Sequence, residues 1–267
     1  LVEEGRVAID APVASYFPAF RDSRLTIRHL LTHTGDINTY IPNRDRLTQK
    51  QLIQAYTQVR SGDRLGKESR YTDAGTIILG LMIEELLGQP ATEVFAQRVL
   101  APLDMPTSCF MPHNPLETAP TEVHPARGLI RGQVHDPKAF VLGSHAGNAG
   151  LFTNLKELLH FVHMYLNSGM YHGNQVLRQD TITGLLQDHS FAHNHQRSLG
   201  WDLKWKAAGA PPYLFHTGYT GTFILMDIPA KEAFVFLSNR VHPIDKREAY
   251  IEKRDQLLQL YLREKDG

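Results

Sequence analysis

The fold is decided by residues 198–239, SLGWDLKWKAAGAPPYLFHTGYTGTFILMDIPAKEAFVFLSN. Residues 198–206 alternate apolar and polar side chains, which predicts a strand. Three more strands are predicted over 213–216, 222–227 and 233–239, with short connections between them. Short connections of this kind favour antiparallel pairing. The last third of the chain is therefore predicted to form an antiparallel sheet.

Helix signals dominate before this sheet. The predicted helices cover residues 26–32, 48–59, 74–87, 91–100, 154–166 and 178–188, and a final amphipathic helix covers 246–262. Asn154 and Glu157 match a capping box, whereas residues 101–150 are irregular. Helices first and strands last predict an α+β fold. We expect one domain over 1–267, helical and loop-rich over about 26–200, with the sheet and last helix over about 198–267.

Composition excludes several classes of function. Lys+Arg and Asp+Glu balance at 28 each, so the chain has no strong field to attract nucleic acid or an anionic membrane. No apolar run approaches the roughly 18 residues of a membrane span. Cys109 is the single cysteine, which precludes an internal disulfide.

The first candidate motif is Tyr71-Thr72-Asp73, directly before the longest apolar helix. The partial positive charge of a helix N-terminus favours a phenolate, so Tyr71 is a candidate general base. The alternative is structural: Tyr71 packs on the helix start while Asp73 caps the helix, as Asx residues routinely do.

The second candidate motif is His216-Thr217-Gly218, followed by Tyr219. A glycine at a strand end lets another backbone approach, and the strand can pair with an extended peptide. His216 can supply a proton near neutral pH. The alternative is a hairpin whose glycines only serve the turn.

Together the two motifs resemble the second and third signatures of the Ser-x-x-Lys serine hydrolases. This superfamily includes class C β-lactamases and low-molecular-weight penicillin-binding proteins. Residues 26–35, TIRHLLTHTG, are similar to a recognisable segment of that family, as are residues 1–13, 132–136 and 147–152. The resemblance runs along essentially the whole chain. It implies a β-lactamase/transpeptidase-like fold, with a helical subdomain beside the sheet.

The resemblance also implies roles for individual residues, with no metal and no cofactor. Tyr71 and His216 would be catalytic, and Asp73, Thr217, Gly218 and Tyr219 would bind substrate. The implied partner is a small molecule or a peptidoglycan peptide, and the implied location is outside the cytoplasmic membrane. A backbone N–H near Tyr219 would form part of the oxyanion hole.

Three features depart from the family pattern. No serine is followed three places later by lysine, and residues 1–5, LVEEG, read as a helix end closing on glycine. We therefore expect the family's first strands and the start of its catalytic helix to be missing. Asp73 replaces the usual asparagine, so the amide N–H donor is lost. His216 replaces the lysine of β-lactamases, which favours peptidases and esterases.

Other residues are weaker candidates. His29 and His33 have a metal-compatible spacing on a helix, but Leu30 stands where the zinc-protease glutamate belongs. Trp201 and Trp205 are expected in the core. Scattered loop histidines are expected to be solvated or hydrogen-bonded: His124, His135, His145, His193 and His195. We expect His135 and Asp136 to pin the long loop.

The sequence therefore leaves three candidate functions. The first is a serine hydrolase, acting through an acyl-enzyme on D-alanyl peptides, esters or, slowly, β-lactams. Its nucleophile would come from a segment absent from this chain, and the chain alone would be inactive. The second is a non-catalytic pseudoenzyme that binds muropeptides or a partner. The third, weaker one is a metal hydrolase that uses the histidines.

Overall fold

The computed structural model describes residues 1–38, 40–42, 44–192, 194–206 and 209–266. Its α-helices are α1 Ile27–Leu31, α2 Gln49–Thr57, α3 Asp73–Leu87, α4 Ala91–Phe95, α5 Pro137–Leu142, α6 Leu155–Leu166, α7 Gln179–Gly184 and α8 Arg247–Asp266. Its strands are β1 Val123–His124, β2 Gly128–Leu129, β3 Met170–Tyr171, β4 Asn174–Gln175, β5 Asp202–Lys204, β6 Tyr213–Gly218, β7 Thr222–Asp227 and β8 Glu232–Phe236. The predicted α+β class is confirmed.

Side-chain caps fix the starts of the predicted helices. The Thr26 hydroxyl accepts from the backbone of His29, whose ring in turn accepts from Thr26 N–H, and together they form a capping box at α1. Thr48 and Gln51 do the same at α2. Gly88 ends α3 in the left-handed conformation, at φ 68°. The helix start and stop signals in the sequence therefore act as expected.

One predicted cap is only half right. The Asn154 side chain accepts from Glu157 N–H at 3.0 Å, which starts α6 as predicted. The Glu157 carboxylate does not return to the Asn154 backbone. It is buried and accepts from the backbone and hydroxyl groups of Thr107 and Ser108. Glu157 therefore joins α6 to the loop after α4, a contact that no local pattern encodes.

The predicted helix end at residues 1–5 is confirmed in its geometry. Gly5 has φ 67°. Its N–H donates to Val2 O at 2.9 Å, and Arg6 N–H donates to Leu1 O at 3.0 Å. These two bonds form the Schellman motif that closes helices at a glycine.

The main sheet has the order β5-β6-β7-β8, and every pair is antiparallel. Successive side chains of a strand enter opposite faces. Tyr213 and Phe215 of β6 therefore join the cluster that contains Leu258 of α8, whereas Leu214 joins the cluster that contains Val162 of α6. Helices cover both faces of the sheet, which explains the nearly continuous apolar runs of β6 and β7.

The edges of the predicted sheet need correction. The strand predicted over 198–206 is only β5, and the one predicted over 233–239 ends at Phe236. Trp201 is buried against Tyr165, as predicted. Trp205 lies beyond the end of β5 and is 50% exposed, so its predicted place in the core is wrong. Residues 101–150 are also less irregular than predicted, since they contain β1, β2 and α5.

The helical region packs around α3. Buried residues of α3, including Ile77 and Ile78, share one cluster with Leu30 of α1 and Leu52 of α2. The turn at residues 147–150 lies directly on α3. No helix in the described part of the chain has both the length and the apolar character needed to cross a bilayer.

Gly147 marks a close contact between this turn and α3. A Cβ at Gly147 would overlap the Thr76 carbonyl oxygen and lie 3.0 Å from Gly80 Cα. We expect Gly147→Ala to lower the free energy of unfolding by roughly 1–3 kcal/mol or more, because two backbones would have to separate. Gly184→Ala is the control, since a Cβ there meets nothing within 4 Å. It should be neutral or stabilise by about 0.4–1 kcal/mol in urea unfolding. Equal effects of the two substitutions would contradict this contact.

Candidate active site

A cleft of about 190 Å³ lies between the start of α3 and the end of β6. Its lining comprises Tyr71, Arg197, Asp202, Phe215, His216 and Thr217. The two motifs singled out in the sequence therefore meet in space, although most of the chain separates them. Their meeting follows from the packing of the helical region on the sheet.

Tyr71 stands at the mouth of α3, but its environment disfavours a phenolate. Partial withdrawal from water raises the pKa of Tyr71 to about 12, and the charge of Asp73 and a hydrogen bond to that carboxylate act in the same direction. Within these residues the pKa of Tyr71 therefore shifts away from the phenolate that the helix N-terminus was predicted to favour. Burial first, and the charge of Asp73 second, oppose the partial positive charge of the helix N-terminus.

His33 holds Tyr71 in place. The two rings pack with their centroids 4.5 Å apart, and His33 Nδ1 accepts from Thr72 N–H at 3.4 Å. The His33 side chain is buried, and its backbone is left-handed at φ 55°. Burial, helped by the charge of Arg197, lowers the pKa of His33 to about 3. The ring is therefore neutral and can serve as the acceptor.

Asp73 is the first residue of α3 and not its cap. The N-cap residue is Thr72, which makes no side-chain cap. The Asp73 carboxylate instead contacts Lys138 Nζ, and its charge raises the pKa of Tyr71. The structural alternative, in which Asp73 merely caps the helix, is therefore wrong.

The end of β6 presents a free edge to the cleft. β7 pairs with β6 as far as Gly218, whereas β5 pairs only with Tyr213–Phe215. Across the described residues, no strand pairs with His216, Thr217 or Gly218 on the β5 side. A Cβ at Gly218 would overlap the Thr222 hydroxyl, so a larger residue there would require the Thr222 side chain to rotate. The motif His216-Thr217-Gly218 therefore combines an unpaired strand edge with the start of a turn.

Tyr219 lies outside the residues that line the cleft. Its ring stacks on His135 at 5.4 Å, and the Arg240 guanidinium lies over it at 4.4 Å. Its hydroxyl donates to Asp245 Oδ2 at 3.1 Å. The side chain thereby attaches the loop before α5 to the end of β6. The predicted substrate-binding role of Tyr219 stays a prediction.

Comparison with known proteins decides the family. A family model described as "Beta-lactamase" matches residues 1–259. The chain belongs to the beta-lactamase family. The family resemblance stated from the sequence motifs is thereby confirmed.

Relatives of this beta-lactamase family chain carry peptidase names. A protein of Escherichia coli (strain K12) named "Putative D-alanyl-D-alanine carboxypeptidase" is 28% identical over 91% of the chain. A Salmonella enteritidis protein of the same name is 27% identical over the same share of the chain. The chain spans about 65% of the length of each relative.

Solved structures share the fold at low identity. A β-lactamase/D-alanine carboxypeptidase from Pseudomonas syringae aligns with 95% of the chain, at a TM-score of 0.69 and 16% identity, and the match covers 78% of that protein. FmtA from Staphylococcus aureus aligns with 94% of the chain at a TM-score of 0.68 and 17% identity, covering 68% of FmtA. At these identities the likeness shows the fold alone.

Arg197 is a site residue that sequence reasoning missed. It is 6% exposed, and its Nε has no hydrogen-bond partner among the described residues. Its nearest carboxylate is Asp202, at 3.8 Å from Nη1. Burial lowers the pKa of Arg197, and its positive charge lowers the pKa of His216 further than burial alone. A lone arginine before a short strand has no sequence signature that could have revealed this.

Removing this charge should change the titration of His216. We expect Arg197→Gln to raise the pKa of His216, because burial would then be the main factor that still lowers this pKa. The measurement is an NMR pH titration of the His216 ring. Arg178→Gln is the control, since Arg178 pairs with Asp180 on an exposed surface. An unchanged His216 titration in Arg197→Gln would show that the guanidinium charge does not reach the ring.

The other histidines are structural, as predicted for those the structure describes. His29 caps α1, and His33 lies beyond the end of that helix. Four loop histidines make hydrogen bonds: His124 with Ala126, His135 with Thr121, His145 with Glu84 and His195 with Asp202. His193 lies outside the described residues. Over the described ranges, no three His, Cys, Asp or Glu side chains form a metal-binding group.

His135 and Asp136 pin the long loop, as expected. His135 bonds to Thr121, and Asp136 caps α5 by accepting from Lys138 and Ala139 N–H groups. The Cys109 backbone pairs with Phe152, and burial raises the pKa of its thiol. His135, Asp136 and Cys109 do not line the cleft described above.

Proposed function

We propose that this chain forms the substrate-binding part of a serine hydrolase that works through an acyl-enzyme. Its substrates would be D-alanyl peptides, as for a D-alanyl-D-alanine carboxypeptidase, or related esters and amides. The nucleophilic serine and its lysine would come from residues outside these 267. The observation that carries the proposal is the free edge at the end of β6, where His216 and Thr217 line the same cleft as Tyr71.

The residues of the two motifs each have a distinct part in this proposal. The free edge at Thr217 pairs with the extended peptide as an added strand, and His216 donates a hydrogen bond there. Asp73 accepts from a substrate amide. The backbone N–H of Tyr219 contributes to the oxyanion hole, whose loss generally costs about 10²–10³ in rate. Tyr71 passes a proton between the serine and the leaving group.

Tyr71 needs a further positive charge to act as a base. With a pKa of about 12, its hydroxyl is almost wholly protonated at neutral pH. A cation within about 4–6 Å would favour the phenolate. The lysine of a Ser-x-x-Lys motif has the right charge and lies near the serine it activates.

One charged group of the cleft is suited to an anionic substrate. Arg197 is buried, its Nε has no hydrogen-bond partner among the described residues, and its ion pair with Asp202 is long, at 3.8 Å. An unmet hydrogen bond of a buried charged group is costly. A substrate carboxylate would offset that cost. Peptidoglycan peptides end in a carboxylate, and the names of the relatives refer to such peptides. Since peptidoglycan lies outside the cytoplasmic membrane, we place the intact protein there.

A second candidate is a pseudoenzyme that binds muropeptides without cleaving them. The observation that favours it is the absence of any Ser-x-x-Lys in the 267 residues. Such a protein would keep the free edge and Arg197 but form no covalent intermediate. The two candidates therefore differ in one property, the acylation of a serine.

The deciding experiment is intact-mass analysis of the protein as its gene encodes it, before and after incubation with a fluorescent penicillin. The hydrolase proposal expects a product that extends upstream of Leu1 and gains the mass of one penicillin. Peptide mapping should place the label on the serine of Ser-x-x-Lys. A product that starts near Leu1 and gains no mass would overturn the hydrolase proposal in favour of the pseudoenzyme.

A further inference from the structure

Lys138 lies beside Asp73 of the first motif, between two carboxylates. Its ammonium contacts Asp73 Oδ2 and lies 3.2 Å from Asp136 Oδ2. The Lys138 side chain is 17% exposed, and the Asp73 side chain 31%. The charge of Asp73 also raises the pKa of Tyr71, which lines the cleft. Lys138 therefore provides a positive charge directly beside a residue of the first motif.

Asp136 fixes Lys138 independently of Asp73. Its Oδ1 accepts from the N–H groups of Lys138 and Ala139, at 3.0 and 2.8 Å, and from Asn148 Nδ2 at 3.1 Å. This carboxylate is thus held by the start of α5 and by the turn on α3. The other oxygen of the Asp136 carboxylate, Oδ2, contacts the Lys138 ammonium. The position of Lys138 Nζ is set by the fold and not by Asp73 alone.

The pair of Asp73 and Lys138 has the hydrogen-bonding capacity of an amide. Asparagine offers both an acceptor oxygen and an N–H donor, whereas an ionised aspartate only accepts. An ammonium has three N–H bonds, and the contacts with the two carboxylates occupy two of them. Among the described residues nothing accepts the third. The carboxylate accepts and the ammonium donates, so the pair offers what an asparagine at position 73 would offer.

We propose that Lys138 is a specificity-determining residue that binds the amide group of the substrate together with Asp73. Lys138 Nζ donates to the amide carbonyl, and the Asp73 carboxylate accepts from the amide N–H. The ligand class is a secondary amide next to the reacting carbonyl. This inference rests on the proposed function, because it assigns the substrate amide to the same cleft. It also removes the objection that Asp73 lacks a donor.

The test measures binding of diacetyl-L-lysyl-D-alanine by calorimetry, using the protein as its gene encodes it. This ligand keeps the amide and has no D-alanyl-D-alanine bond left to cleave. Lys138→Met removes the donor and keeps the length of the side chain. We expect it to weaken binding roughly 10–100-fold, as for the loss of a charged hydrogen bond. Lys138→Arg keeps charge and donors and should retain most of the affinity.

A double variant separates recognition from folding. When Lys138→Met is combined with Asp73→Asn, the introduced side-chain amide supplies both an acceptor and a donor for the ligand. Affinity should then return to within about threefold of the native protein, whereas Lys138→Met combined with Asp73→Leu, which removes both charges without supplying an amide, should stay weak. A purely structural salt bridge predicts the same recovery in both double variants. Unchanged binding by Lys138→Met would overturn this inference and leave the proposed function standing. Absence of binding by the native protein would overturn both.

Discussion

Tyr71→Phe, in the protein as its gene encodes it, is expected to lower the rate of acylation by a fluorescent penicillin about 10²–10⁴-fold. This is the usual contribution of a general acid–base group in the transition state. Phenylalanine keeps the ring that packs on His33 at 4.5 Å, so the fold should survive. It removes only the hydroxyl of a residue that lines the cleft.

The measurement is the rate of label incorporation under pseudo-first-order conditions. Tyr171→Phe is the matched control, because Tyr171 is buried in the β3–β4 hairpin and does not line the cleft. It should leave the rate within about twofold of the native protein, well below the effect expected of a catalytic group. Undiminished acylation of Tyr71→Phe would rule out proton transfer through this hydroxyl.

Acid should destabilise the folded chain through His33. Its pKa is about 3 in the folded state and 6.5 ordinarily. As the pH falls below 6.5, the His33 ring therefore binds a proton in the unfolded chain but not in the folded chain. The stability that His33 contributes is present above pH 6.5 and is lost as the pH decreases towards 3. The loss from this one group approaches about 1.4 kcal/mol per pH unit.

The measurement is urea unfolding at pH 7, 6, 5 and 4, followed by far-UV circular dichroism. His33→Asn should flatten this pH dependence, because asparagine does not titrate, can accept from Thr72 and tolerates the left-handed backbone. Some slope should remain, since burial also lowers the pKa of His29 and His216.

His172→Asn is the matched control for backbone conformation. His172 also has a positive φ, 46°, but its side chain is exposed. This substitution should leave the pH dependence of the native protein intact. If His33→Asn keeps the full acid sensitivity, another buried group is responsible for it.

Many of the local elements could be predicted because their signals are short in range. Thr26, Thr48 and Asn154 start helices by bonding to backbone within three residues. The runs at 213–216 and 222–227 are typical of strands in a covered sheet, because both faces are apolar. Trp205 was misjudged because alternation does not tell where a strand ends. Glu157 was misjudged because its partners lie some fifty residues earlier.

The sequence by itself determined the α+β class, the antiparallel pairing of the late strands and the two motifs that hold Tyr71 and His216. Periodicity, caps and turns are encoded within a few residues, so one chain suffices to read them. Only the tertiary structure decided what surrounds those motifs. It brought the buried charge of Arg197 to the cleft, the neutral ring of His33 to Tyr71 and the ammonium of Lys138 to Asp73. Burial and charge set the protonation of a site, and both depend on residues that meet only when the chain packs.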